Sequence, residues 1–229
     1  MLEDLKRQVW EANLALQQAG LVLLTWGNAS GMDPESGLVA IKPSGVSYAD
    51  MRPEQMVVLD LDGKVIEGEL RPSSDTPTHL LLYRTFRGIR GVAHTHSTHA
   101  TAWAQARRSL PCYGTTHSDN FRGAIPVTEE LTEAALTGDY EYETGMAIVR
   151  AFENLNPREI PAVLVAGHAP FTWGHSPAHA VENSIVLEQV ALMAILTEAV
   201  SPAASGISAA LRDKHFLRKH GPGAYYGQP

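Results

Sequence analysis

A chain of 229 residues with no linker, repeat or low-complexity block has the length for one domain, 1–229, around a sizeable core. Its formal charge of -7 comes without a basic stripe, which argues against nucleic acid or an anionic membrane as a main partner, and its one cysteine, Cys112, excludes an intramolecular disulfide. The acidic start Leu2-Glu3-Asp4 lacks the basic flank of a signal peptide, so the expectation is a soluble, cytoplasmic protein.

Leu2, Leu5, Val9, Ala12 and Leu16 recur at helical spacing ahead of Gly20, which predicts a first helix over 2–19. Leu21 to Thr25 reads as a strand running into Trp26-Gly27-Asn28-Ala29-Ser30-Gly31, a loop of small residues where backbone can approach a ligand. Leu38 to Lys42 is a second strand, closed by Pro43-Ser44-Gly45. Strands over 56–61 and 64–67 flank Asp62-Gly63, a dipeptide that favours a two-residue hairpin, so part of the sheet is antiparallel.

Arg71 to Asp75 reads as a loop before a helix with Thr76 as N-cap and Pro77 at the first helical position, Leu80, Tyr83 and Phe86 forming its inner face. A strand from Gly91 reaches His94 and His96, and Ser97 caps the helix that follows. Residues 111–123 are polar and irregular; helices are expected over 144–154, 177–200 and 207–220, the last stopped by Gly221. The apolar-rich helix near 177–200 is interrupted by His179, Glu182, Asn183, Glu188 and Gln189, so it is not expected to span a bilayer. Strands and helices interleave without regular alternation, which predicts a three-layer α/β/α domain around a central mixed, largely antiparallel sheet. No dinucleotide fingerprint or P-loop is present.

The chemistry centres on Gly91-Val92-Ala93-His94-Thr95-His96. In a strand, His94 and His96 project from one face and can share a metal ion. A second apolar run, 163–167, ends on His168. Three neutral imidazoles leave zinc its charge and an open position, the composition of a catalytic site. Four loops carry small polar residues suited to an anion: Gly27-Asn28, Ser44-Gly45 after Lys42, Ser73-Ser74 and Thr115-Thr116. Each alone is more often plain turn chemistry, and only their convergence would be informative. Asp75 reads either as a helix-start residue or as a carboxylate beside the metal, and Asp119 as a general base or an Asx-turn residue. His99 is expected to be structural, His175 and His179 solvated, and Glu141 and Glu143 partly solvent-facing. The aromatic end Tyr225-Tyr226 either packs on a neighbouring subunit or closes a site.

Thr25-Trp26-Gly27-Asn28, Ile41-Lys42-Pro43-Ser44-Gly45, Arg71 to His79, His94-Thr95-His96-Ser97, Gly114-Thr115-Thr116-His117 and Lys214-His215 through Tyr226-Gly227-Gln228 together closely resemble the L-ribulose-5-phosphate 4-epimerases of the class II aldolase and adducin-head superfamily. The resemblance runs over essentially the whole chain. It implies a divalent metal, zinc or another such as Mn2+ or Co2+, held by His94, His96 and His168 with Asp75 beside it. It implies substrate and phosphate contacts from Gly27, Asn28, Ser44, Gly45, Ser73 and Ser74 with Lys42 close by, and Asp119 and Tyr226 as the acid/base pair. It further implies a phosphorylated ketopentose substrate, of the kind met in L-arabinose catabolism, and a cyclic homotetramer with sites at subunit boundaries. There the tail 221–229, with Tyr226, and His215 would serve a neighbour's site. L-fuculose-1-phosphate aldolases look similar but carry glutamate where this chain has Asp75, which favours the epimerase; an aldolase and a non-catalytic adducin-like scaffold are the alternatives.

Overall fold

The computed structural model describes residues 2–227, so Met1 and two residues of the tail, Gln228 and Pro229, lie outside the described residues. Seven strands form one sheet: β1 (Asn28–Met32), β2 (Val39–Ile41), β3 (Val57–Leu59), β4 (Val65–Glu67), β5 (Gly91–His94), β6 (Ala162–Leu164) and β7 (Pro170–Gly174), in the order β4-β3-β2-β1-β5-β7-β6. Every ladder is antiparallel. The expected mixed sheet is thus corrected: among the described residues, parallel pairing is confined to one isolated bridge, Val127 to Leu164.

Alternation along the strands sends consecutive side chains to opposite faces. Val39 and Val92 join one buried cluster, with Leu82 of α2 (Thr76–Thr85), Trp103 of α3 (Thr98–Gln105) and Ile148 of α6 (Tyr140–Ala151). Their neighbours Ala40 and Ala93 join a second cluster, with Leu5, Val9, Ala12 and Leu16 of α1 (Leu2–Gln18). Helices therefore cover both faces, as expected. Two short helices, α4 (Thr115–Ser118) and α5 (Glu133–Thr137), and two C-terminal ones, α7 (Pro177–Val200) and α8 (Ala209–His220), complete the fold.

The expected strand over 21–25 does not form. Leu23 and Leu24 are exposed, Leu24 takes a positive φ of 53°, and pairing begins at Asn28 instead. Residues 28–31 of the expected loop are therefore part of β1, and the small residue Gly31 reflects packing: a Cβ on it would sit 2.6 Å from Pro177 of α7 and 2.9 Å from Val9 of α1. By length and composition alone α7 could cross a bilayer, so its scattered polar residues exclude less than expected. In the fold it packs against α1, α3, β5 and β7, burying Leu187, Val190, Ala191 and Ala194 as a core helix does.

Candidate active site

His94 closes β5, where it pairs with Asn28, the first residue of β1. Its ring stacks on Phe171 with centroids 4.1 Å apart, and Nδ1–H donates to the Pro170 carbonyl at 2.9 Å, which leaves Nε2 as the free donor atom. His96 lies beyond the strand, in the turn before α3, so strand alternation does not itself place it. The turn still brings it round: the His94, His96 and His168 rings lie 4.9 to 5.1 Å apart by centroid, and one ligand atom from each lies within 4.8 Å of the others. His168 follows a turn at Gly167, whose φ is 69°, and its Nδ1 is 3.4 Å from the Tyr140 hydroxyl.

The donor set fits a divalent metal. Burial lowers His168 to about 4 and, with His94, lowers His96, so these imidazoles are neutral and able to ligate at pH 7. Asp75 stands beside them at the N-cap position of α2, one residue earlier than expected, with Pro77 in the first turn. It makes no side-chain cap bond and instead accepts from Asn28 Nδ2 at 2.6 Å. Burial opposes its ionisation most strongly, but His94, His79, the Asn28 amide and His168 outweigh that and hold the carboxyl below its usual range. Its backbone begins the helix, and its carboxylate lines the same cleft as the three histidines.

These groups line a cleft of about 570 Å³, a size suited to a small ligand. Three of the four small-residue loops converge on it, contributing Gly27, Asn28, Ser44, Gly45, Ser73 and Ser74. Gly27 is required twice over, by a φ of 73° and because a Cβ would lie 2.8 Å from the His94 carbonyl. The other two loops are laced together by Ser44 N–H to Arg71 O and Ser73 N–H to Lys42 O, at 2.9 and 3.0 Å. Lys42 is only 2% exposed; its ammonium donates to the Val46 carbonyl at 2.8 Å, and burial pulls it down to about 8. Tyr48, whose ring lies 5.0 Å from that ammonium, reaches the Trp26 and Gly27 carbonyls with its hydroxyl at 2.9 Å each.

Other expected residues lie elsewhere within the chain. Thr115 and Thr116 are not a loop in the cleft but the start of α4, and Thr116 lines a separate groove against α7. Asp119, His215 and Tyr226 do not line the cleft. They gather where α4 meets α8: Asp119 accepts from Arg218 at 2.8 Å and from His215 Nδ1 at 3.0 Å, and the Arg218 and Lys219 cations lie 4.9 and 4.6 Å from the exposed Tyr226 ring. His99 is structural as expected, bound to Glu188. His175 is exposed but His179 is half-buried, with its ring 4.1 Å from that of His175. Tyr140 and Glu141 line the cleft, a role that sequence reasoning missed for both.

Comparison with known proteins follows the same outline. A family model described as the Class II Aldolase and Adducin N-terminal domain matches residues 7–195. An L-fuculose 1-phosphate aldolase structure is similar at 26% identity with a TM-score of 0.79, covering 95% of this chain and 96% of the other. An L-fuculose-1-phosphate aldolase from Thermus thermophilus matches at 24% identity and TM-score 0.69 over 89% and 100% of the two chains. A putative aldolase/epimerase/decarboxylase from Klebsiella pneumoniae matches at 24% identity and TM-score 0.74 over 93% and 98%. These last two likenesses show the fold alone.

Proposed function

We propose that this chain, which belongs to the class II aldolase and adducin N-terminal domain family, is a metal-dependent L-ribulose-5-phosphate 4-epimerase, interconverting L-ribulose 5-phosphate and D-xylulose 5-phosphate. The observation that carries the reading is the convergence of three amide- and hydroxyl-rich loops and three histidines on one cleft. A sugar phosphate needs an anion cradle at one end and charge stabilisation at its ketone end, and the cleft offers both.

Inversion at C4 of a 2-ketopentose cannot begin with loss of the C4 hydrogen, because that carbon is not adjacent to the carbonyl. Breaking C3–C4 gives the enediolate of dihydroxyacetone and glycolaldehyde phosphate; if the aldehyde rotates before the bond re-forms, C4 is inverted. His94, His96 and His168, with Asp75 beside them, would hold a divalent cation such as zinc, which would supply positive charge to stabilise the enediolate. Gly27, Asn28, Ser44, Gly45, Ser73 and Ser74 hold the phosphate and keep the aldehyde from leaving while it turns. Lys42 holds the Ser44-Gly45 loop in shape through the Val46 carbonyl and adds positive charge behind it. The C4 oxygen needs a proton partner on each face, the roles of Asp119 and Tyr226, with His215 beside Asp119.

Since Asp119, His215 and Tyr226 all lie away from their own chain's cleft, the reading requires a homotetramer in which a neighbouring subunit supplies Asp119 together with Tyr226 and His215. The whole chain acts as one catalytic domain whose tail completes a site across that boundary, in the cytoplasm. Aldol cleavage with release of two products is the second reading, favoured by the 26% identical L-fuculose 1-phosphate aldolase. Asp75, shorter than the glutamate of such aldolases, favours the epimerase because it does not reach the carbanion carbon to protonate it. Product analysis separates them: an epimerase conserves the five-carbon skeleton.

A further inference from the structure

The three histidines are not held alike. The His94 ring is fixed by the Pro170 carbonyl and the His168 ring faces the Tyr140 hydroxyl. His96 is the exposed member of the trio, its ring tilted against Trp26 with centroids 6.2 Å apart. Its aim must come from its backbone, which spans the short gap between the end of β5 at His94 and the N-cap of α3 at Ser97.

That N-cap is unusual. Ser97 makes no side-chain cap bond to its own helix. The cap is supplied across the fold by Glu188, in the middle of α7 and 17% exposed at its side chain. Its carboxylate accepts the backbone N–H of His99 at 2.9 and 3.1 Å, that of Ala100 at 3.0 Å and the His99 ring Nδ1–H at 2.7 Å. An anion placed there also meets the positive end of the helix dipole. Burial works against its charge, but the His99 and Ala100 amides, the Ser97 side chain and the His99 ring together outweigh it and the carboxyl stays below its usual range.

We propose that Glu188 is a positioning residue for His96: by clamping the first turn of α3 it fixes the segment through which His96 is aimed at His94 and His168. The proposal rests on the reading of the three histidines as a metal site. Without the carboxylate, two backbone N–H groups and one ring N–H lose their acceptor, the first turn loosens, and His96 alone of the three gains freedom.

The test is a Co2+ titration of chelator-treated protein followed by visible absorption, for the wild-type chain, Glu188→Gln and Glu188→Ala, with urea unfolding to establish that each is folded at the titration conditions. Glu188→Ala is expected to weaken Co2+ binding by about 10-fold or more, as removal of a supporting partner does, and to alter the shape of the cobalt band. Glu188→Gln keeps one acceptor and should lose about 3-fold, the worth of one hydrogen bond. If Glu188→Ala does not stay folded, Glu188→Gln carries the test. Wild-type affinity and spectrum in the folded variants would overturn the positioning role while leaving the metal site standing. A wild-type chain that binds no Co2+ would overturn both.

Discussion

The Asn28 side-chain amide donates to the Asp75 carboxylate at 2.6 Å, tying the first residue of β1 to the residue that opens α2. An ionised carboxylate only accepts, so the bond fixes the amide with Nδ2 toward Asp75; its Oδ1 is buried with no partner among the described residues. Asn28→Ala removes this charge-assisted bond and a cleft contact together. It is expected to lower kcat/KM for the sugar phosphate by about 10- to 100-fold, the worth of a hydrogen bond to a charged group, with the fold retained. Steady-state kinetics near the wild-type values would remove Asn28 from the site.

The proposed sharing of the site between subunits is tested by a mixing experiment. Tyr226→Phe and His96→Asn are each expected to cut epimerisation by about two to four orders of magnitude, the first as the loss of a positioned acid or base. Co-expressed, the two variants should form mixed oligomers in which some sites combine an intact histidine cluster with an intact tail. Activity recovered above that of either variant alone is the expected result. Mixtures as inactive as their parents would place Tyr226 outside a neighbour's site.

Stability should fall with acid through two histidines that are buried neutral. His79 is fully buried and pushed down to about 3, and His117, whose Nε2–H donates to the Gly123 carbonyl at 2.7 Å, is pushed down by burial to about 4. Their unfolded values lie near 6.5, so the unfolded chain binds more protons at intermediate pH. The stabilisation is complete above pH 6.5 and is lost as pH falls from there toward 4 and 3. Urea midpoints measured from pH 7.5 to 4.5 should decline, and His117→Gln should flatten that decline. An unchanged slope in the variant would contradict the assignment.

Gly91 tests the packing that delivers His94. A Cβ there would lie 2.2 Å from the Ser176 carbonyl oxygen and 2.5 Å from the Pro177 nitrogen, backbone atoms at the start of α7 that cannot swing aside. Gly91→Ala is expected to cost about 1–3 kcal/mol or more in urea unfolding, by pushing β5 and α7 apart. A variant as stable as the wild type would mean that α7 can shift freely over the sheet.

The clustering of the three histidines is legible in the sequence because two apolar runs ending on or near histidine are visible without any tertiary knowledge. The small-residue loops that line the cleft were not separable one by one, since Ser, Gly and Asn serve turns equally well; only the sheet order that brings β1, β2 and the start of α2 together picks Ser44 and Ser73 out and leaves Thr115 aside. Residues 21–25 mislead because an apolar run reads as a strand, whereas Leu23 and Leu24 face solvent and the strand begins at Asn28. Tyr140 and Glu141 carried no periodic signal. They reach the cleft because α6 packs on α2, where Thr78 Oγ1 donates to the Glu141 carbonyl and Gly145 lets Leu81 approach. Glu188 was read as one more polar interruption of a long helix; its partners are 88 and 89 residues away in sequence.

The central claim is tested most directly by a coupled assay for conversion of L-ribulose 5-phosphate to D-xylulose 5-phosphate, before and after stripping metal with a chelator and restoring zinc. Conversion that disappears on chelation and returns with zinc, with the five-carbon skeleton conserved, is the predicted result. A zinc-loaded protein that performs no conversion, or that releases two products from a 1-phosphorylated ketose instead, would contradict the epimerase and the role given to Asp75.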